Sequence, residues 1–346
     1  MILVYSAVVV FICVCLYAYR KLNNMAKQGS TLFKIGYFFY TRTRLGYFYY
    51  RRDVTKANQK YENGHSVVEP LDFDGGLRIL PIPISLDNYC YLIKDMKTGS
   101  GVLIDPADPD AIQPILTKEE VNLQTVLTTH KHWDHSGGNK FYKSKYRNVQ
   151  IVGNADDHVP DVTKSVVDNE EILIPNSGLK FTAIFTPGHT VGHVTYLLDG
   201  KSFNAPNSLF CGDHLFIGGC GRMFEETAAT MQQSLDRISN LHEDTLLWPG
   251  HEYALDNLEF ARYINPNNQK LQEKHDWVKT QREKRLSTVP SSIWEEKQYN
   301  PFLRTDDPML LSAIGLLEQY NTEPDSTRVQ MLLSLRQSKD KFKYKL

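Results

Sequence analysis

Acidic side chains are missing from the front of this chain: residues 1 to 52 hold eight Lys and Arg and no Asp or Glu. The remainder therefore carries 31 basic against 40 acidic residues, a local −9 hidden inside an overall net charge of −1. An acidic body has no electrostatic use for a phosphate backbone, which argues against nucleic-acid binding, whereas the basic front suits an anionic surface. Cysteine is also sparse, at 5 of 346 residues. Cys13 and Cys15 lie in an apolar run, open to palmitoylation. Cys90, Cys211 and Cys220 have neither zinc-ribbon nor redox-pair spacing, which fits a reducing location. Cys211 has no base organised around it and reads as a buried strand thiol. No internal repeat or low-complexity tract stands out.

Only one long hydrophobic run is present. Met1 to Tyr19 is apolar apart from Ser6 and is followed by Arg20, Lys21 and Lys27. Nineteen residues can just cross a bilayer as a helix. A basic n-region is absent and the cleavage site poor, so a retained anchor is favoured over a signal peptide. The positive flank places the body in the cytosol, on a single-pass membrane protein; a mitochondrial location is the alternative. Residues 20 to 55 read as a juxtamembrane segment. From 33 to 52 they interleave Phe and Tyr with Lys and Arg, suiting a membrane interface, with packing onto the enzyme the close alternative.

Most informative is Thr-Thr-His-Lys-His-Trp-Asp-His-Ser-Gly-Gly, which sets His130, His132, Asp134 and His135 within six residues after the β-branched, apolar run 126 to 129. A strand there would place all four on the loop leaving its C-terminal end. His130 and His132, two apart, face one side of an extended segment and can grip one ion, while Asp134 and His135 reach a second. A solvated loop rich in His and Asp is the bland alternative. Two ions need further ligands, and three more strand-then-ligand units supply them. His189 follows Phe-Thr-Ala-Ile-Phe-Thr-Pro-Gly, Asp213 follows Ser-Leu-Phe-Cys-Gly, and His251 follows Thr-Leu-Leu-Trp-Pro-Gly. The expected assignment gives one metal to His130, His132 and His189 and the other to Asp134, His135 and His251. Asp213 would bridge them, since a carboxylate spans ions roughly 3.5–4 Å apart. Such ligands suit zinc first, with iron or manganese possible.

The order His-x-His-x-Asp-His, Gly-His-Thr, Gly-Asp, Gly-His-Glu-Tyr resembles the metallo-β-lactamase superfamily, and within it the glyoxalase II (hydroxyacylglutathione hydrolase) branch. Asp-Asn-Tyr-Cys-Tyr-Leu-Ile (87 to 93), Gly-Cys-Gly-Arg (219 to 222) and Asn-Pro-Phe-Leu-Arg (300 to 304) extend the likeness from about Leu77 to the C-terminus. The resemblance implies hydrolysis of a glutathione thioester by water that two metal ions activate, with Asp134 also orienting that water. It also implies glutathione contacts at Arg222, Phe224, Tyr253, Arg336 and Lys339. Where the branch has Lys and Tyr, this chain has Arg222 and Phe224; the first keeps charge but changes geometry, the second loses a phenolic hydroxyl. The rival activity is a glutathione persulfide dioxygenase using one iron. A membrane-anchored scaffold with a metal-bound, weakly active site is the non-enzymatic alternative.

The expected fold is α/β: a metallo-β-lactamase-like αββα sandwich with helices on the outer faces of two sheets and metals at one edge. The expected divisions are an anchor at 1–19, the juxtamembrane segment at 20–55 and a polar linker at 56–75. A metal domain at 76–262 and a helical substrate-binding tail at 263–346 follow. Helices are expected at Asp110 to Leu123, Thr227 to Leu241 and Gln269 to Arg285. His193 and His214 read as supports of the site, and Asp105 as a turn or supporting residue. His65, His158, His242 and His275 have no partner at ligand spacing and read as surface or capping residues.

Overall fold

The strand Asn88–Asp95 is buried at all eight positions, as befits a strand covered on both faces. The computed structural model describes residues 31–342 apart from Asn63. One sheet runs, in spatial order, β1 (Leu71–Phe73), β2 (Leu77–Ile84), β3 (Asn88–Asp95), β4 (Ser100–Ile104), β5 (Asn122–Leu127), β6 (Gln150–Gly153) and β7 (Lys164–Ser165). The second begins with β8 (Glu171–Leu173), β9 (Lys180–Phe185), β10 (Val194–Leu198) and β11 (Ser208–Gly212). A hairpin of β12 (Leu215–Phe216) and β13 (Gly219–Cys220) stands apart, and β14 (Leu246–Pro249) and β15 (Ser291–Ser292) complete the second sheet beyond β11. Between the sheets Ile79, Tyr91 and Val102 meet Phe181, Phe210 and Trp248.

Register fixes where the site must form. β9 and β11 both run antiparallel to β10, and β14 runs parallel to β11. The C-terminal ends of β9, β11 and β14 therefore emerge at one edge. Thr129, just past β5, accepts a hydrogen bond from the Val194 N–H at the start of β10, and an isolated bridge pairs Asn88 with His251. Both sheets thus deliver their ligand-bearing loops to the same rim.

Helices α1 (Thr31–Arg42) and α2 (Arg44–Lys60) precede the sheets. Over the outer face of the first sheet lie α3 (Pro109–Lys118) and, after the one-turn α4 (Trp133–Ser136), α5 (Asn139–Lys145). The second sheet is covered by α6 (Ala228–Ser239) and helices of the tail. These are α7 (Ala254–Ile264), with α8 (Gln269–Glu283) packed on α7 rather than on the sheet, and α9 (Ile293–Tyr299), α10 (Pro308–Ile314), α11 (Leu317–Thr322) and α12 (Pro324–Phe342). The αββα sandwich with a helical C-terminal region is the architecture observed. The helix expected from Asp110 to Leu123 stops at Lys118, because 122–127 is needed as β5.

The front of the chain departs from expectation. The anchor expected over residues 1–19 lies outside the described residues, and no helix among the described residues is long and apolar enough to cross a membrane. The segment 33–52, read as suiting a membrane interface with packing onto the enzyme as the close alternative, packs on the enzyme body. Tyr50 and Val54 join the core of the first sheet's outer layer, while Phe33 and Tyr37 are buried near the metal-ligand loop. Each fully buried apolar side chain contributes roughly 1.5–3 kcal/mol, so the helices have reason to stay. The expected linker begins as helix, since α2 runs to Lys60.

Candidate metal centre

Two groups of side chains converge at the rim: His130, His132, His189 and Asp213, and beside them Asp134, His135 and His251. In the first, His132 Nδ1 lies 2.9 Å from His130 Nε2 and 3.0 Å from His189 Nε2. In the second, His135 Nε2 and His251 Nε2 are 3.3 Å apart. Asp134 Oδ2 stands 3.6 Å from His251 Nε2 and 3.8 Å from His135 Nε2. Asp213 turns one oxygen to each group. Its Oδ2 is 3.3 Å from His189 Nε2, and its Oδ1 is 3.2 Å from both His135 Nε2 and His251 Nε2.

The opposite nitrogen of every one of these histidines is already engaged. His135 Nδ1 meets Asp105 Oδ2 at 2.8 Å and His251 Nδ1 meets Asp87 Oδ1 at 2.8 Å. His189 Nδ1 donates to the Arg222 carbonyl at 2.9 Å, His130 Nδ1 lies 3.0 Å from Thr129 Oγ1, and His132 Nε2 lies 2.8 Å from the Tyr37 hydroxyl. Outer partners of this kind fix which nitrogen keeps its proton and turn the other lone pair inward. Five inward nitrogens and three carboxylate oxygens, all of them acceptors, crowd together, and buried Asp213 Oδ1 has no hydrogen-bond donor; a cation would satisfy such a set. The donor set therefore fits a pair of divalent ions.

Electrostatics agree. Burial, with neighbouring imidazoles, holds His130 and His132 well below the usual histidine range, leaving them neutral as ligands must be. At His251 burial also opposes charge, but Asp213 and Asp87 outweigh it and raise the group to about 10. Burial opposes charge on Asp213 too, yet His251, His135 and His189 hold it well below the usual carboxylate range. The second group thus demands positive charge between Asp213 and its histidines, supplied by a proton when no metal is bound.

Glycines admit these contacts. At Gly250, a Cβ would come within 2.8 Å of His135 Cε1 and 2.9 Å of Asp213 Oδ1. Gly212 has φ +49 and would bring a Cβ within 2.4 Å of Thr129 Oγ1.

Around the centre opens a cleft of about 560 Å³ that Arg222, Phe224, Tyr253, Arg336 and Lys339 all line. Tyr253 stacks on the His251 ring at 4.6 Å and 7°. Arg336 is buried, donates to the Cys220 carbonyl at 2.9 Å and pairs with Asp340 at 3.0 Å. Arg222 shares the same Asp340 oxygen at 3.2 Å. His193 supports the site by accepting the Asp213 backbone N–H at 3.2 Å, and His214 is buried next to it. His158 and His242 are exposed. His65 and His275, expected at the surface, are buried; His65 Nε2 reaches the Asn88 carbonyl at 2.8 Å, a long-range partner that spacing does not reveal. Sequence reasoning gave no role to Tyr37, Asp87, Asn88 or Glu225. Asp87 and Asn88 stand in the 87-to-93 motif, a signal for them; for Tyr37 none existed.

Residues 86–251 match the metallo-β-lactamase superfamily model, and residues 252–342 match that of the hydroxyacylglutathione hydrolase C-terminus. The chain is 40% identical over 247 residues to "Hydroxyacylglutathione hydrolase cytoplasmic" of Arabidopsis thaliana, covering 71% of this chain and 95% of that protein. It is 38% identical over 266 residues to the hydroxyacylglutathione hydrolase of Chromohalobacter salexigens, covering 77% and 100%. For that of Synechocystis the identity is 37% over 239 residues, covering 68% and 92%. The expected placement as a single-pass membrane protein is corrected on these findings: the Arabidopsis relative is named as cytoplasmic, and the described helices include no membrane span.

Proposed function

This chain belongs to the hydroxyacylglutathione hydrolase branch of the metallo-β-lactamase superfamily, and from that premise we propose that it hydrolyses an S-acylglutathione thioester at a pair of divalent metal ions. The observation that carries the proposal is Asp213, whose two oxygens face two separate clusters of inward-turned histidine nitrogens. His130, His132 and His189 would hold one ion, Asp134, His135 and His251 the other, and Asp213 both. Such a pair, when bound, polarises the thioester carbonyl and lowers the pKa of water toward neutrality.

The protein's own residues do the rest. Asp134 Oδ2 is held by Asn88 Nδ2 at 3.1 Å and faces the cleft, where it is placed to accept a hydrogen bond from the attacking water and orient it. A C–O bond forms and the C–S bond breaks, giving a carboxylate, the glutathione thiol and a proton. Arg222, Arg336 and Lys339 supply positive charge for the carboxylates of the tripeptide, with Asp340 as the counterion that the two arginines exchange. Tyr253 and Phe224 offer flat walls. Zinc fits the imidazole and carboxylate set best, and iron or manganese would also be accepted. In domain terms, we place the hydrolytic centre in 76–262 and the substrate-binding helices in 263–346.

Purified full-length chain should carry about two metal ions and cleave an S-acylglutathione, read as loss of thioester absorbance. Full metal loading without turnover overturns the reading. One iron per chain with oxygen uptake would point instead to the persulfide dioxygenase.

A further inference from the structure

Helices α1 and α2 lie outside both family matches, which begin at residue 86, yet α1 touches a candidate metal ligand. Tyr37 sets its hydroxyl 2.8 Å from His132 Nε2. Because His132 Nδ1 is the nitrogen turned toward His130 and His189, the lone pair needed for a metal belongs there and the ring proton at Nε2. Nε2–H therefore donates to the Tyr37 oxygen, and the phenol O–H donates onward to the Glu225 carboxylate. Glu225 is itself anchored by Lys131 Nζ at 2.6 Å and the Val191 N–H at 2.8 Å, and Lys131 by Asp157 at 3.2 Å. The line thus runs from His132 through Tyr37 to Glu225, whose charge is met by Lys131, which donates to both Glu225 and Asp157.

The helix that carries Tyr37 is fixed independently of that bond. Phe33 and Tyr37 stack on Phe224 with ring centroids at 6.0 and 5.4 Å, and Trp133 Nε1, one residue after His132, donates to the Tyr40 carbonyl at 2.7 Å. Tyr40 and, from α2, Asp53 line the cleft. We infer that α1 is a wall of the active site and that Tyr37 is a positioning residue, holding His132 by its outer nitrogen in the orientation a metal ion requires. The inference rests on the proposed metal centre but not on the identity of the thioester.

The test uses the full-length, zinc-loaded chain and its Tyr37→Phe variant, which keeps the ring and removes only the hydroxyl. Loss of such an outer partner typically costs 10–100-fold in metal affinity or activity. One of the two zinc ions should therefore leave to a chelator at least about tenfold faster, with the other unchanged, and kcat should fall while KM barely moves. In the unaltered chain, proton NMR should show an exchange-protected imidazole N–H assigned to His132 Nε2, a readout that stands even if the variant folds poorly. Release of both ions at the unaltered rate, or a His132 N–H that exchanges freely, overturns the inference. A chain that binds both ions but leaves S-acylglutathione intact would sink the proposed substrate while this comparison of metal release still decides the role of Tyr37.

Discussion

Gly250 illustrates how a single residue type can be set by the site. Replacing it with Ala forces a methyl into His135 and Asp213 at 2.8 and 2.9 Å, and neither neighbour can retreat without leaving the metal position. Gly250→Ala should fold but bind less than about one of its two ions, measured by elemental analysis. Asp213→Asn removes the charge that both groups share, and kcat should drop by on the order of 10²–10³, the scale for removing one preorganised electrostatic contact. At the mouth, Asp340 occupies Arg222 and Arg336 together. A substrate carboxylate must displace it, so Asp340→Asn should lower KM for an S-acylglutathione severalfold with kcat little changed; an unchanged or higher KM would show that these arginines do not meet the substrate. The seven candidate ligands could be picked out because four share the loop after one strand and the other three each follow a strand that ends in a Gly turn. Asp105, read as a turn or supporting residue, does hold His135; Asp87 and Glu225, which hold a ligand or its partner in place, were not read in those roles, because their relation to the site exists only through space.

Elements repeat that contrast. The strand-then-ligand units marked β5, β9, β11 and β14 in the sequence, whereas their pairing and register appear only in the fold. For helices α1 and α2 the sequence left a membrane interface and packing onto the enzyme as close alternatives, for a physical reason: interleaved aromatic and basic side chains present the same amphipathic face to a lipid headgroup and to a protein groove. Only the complementary surface distinguishes them, here Ile82, Ile84 and Tyr142 beside Tyr50 and Val54. Tyr50, 3% exposed, gives the test. Tyr50→Ala should destabilise the enzyme by roughly 3–5 kcal/mol, the cost of emptying a large aromatic site, seen as a lower midpoint in urea. A segment merely lying beside a membrane would leave that midpoint unmoved. The same packing makes a chain truncated at residue 55 a poor surrogate, since it would sever α2 and discard Tyr37.

For the whole molecule, the metal centre is where the two sheets and the N-terminal helices are tied together, so metal removal should be felt globally. A ligand present at a thousand times its dissociation constant stabilises the folded state by about 4 kcal/mol, so two ions contribute about 8 kcal/mol, and for a chain of this size each kcal/mol moves Tm by roughly 1–2 °C. Chelation should therefore lower Tm by on the order of 10 °C, reversibly on adding zinc. The gap should also depend on pH. Without metal, the proton on His251 sits between Asp213 and Asp87 and offsets part of their charge, and its folded pKa of about 10 lies above the unfolded value. Stability from that proton is complete below about pH 6.5 and is lost as pH rises toward 10. In the loaded chain the ion replaces the proton and removes that slope. Calorimetry of metal-free and zinc-loaded chain between pH 6.5 and 9.5 should show the two midpoints diverging as pH climbs; curves that stay parallel would mean that His251 is not held charged between those carboxylates.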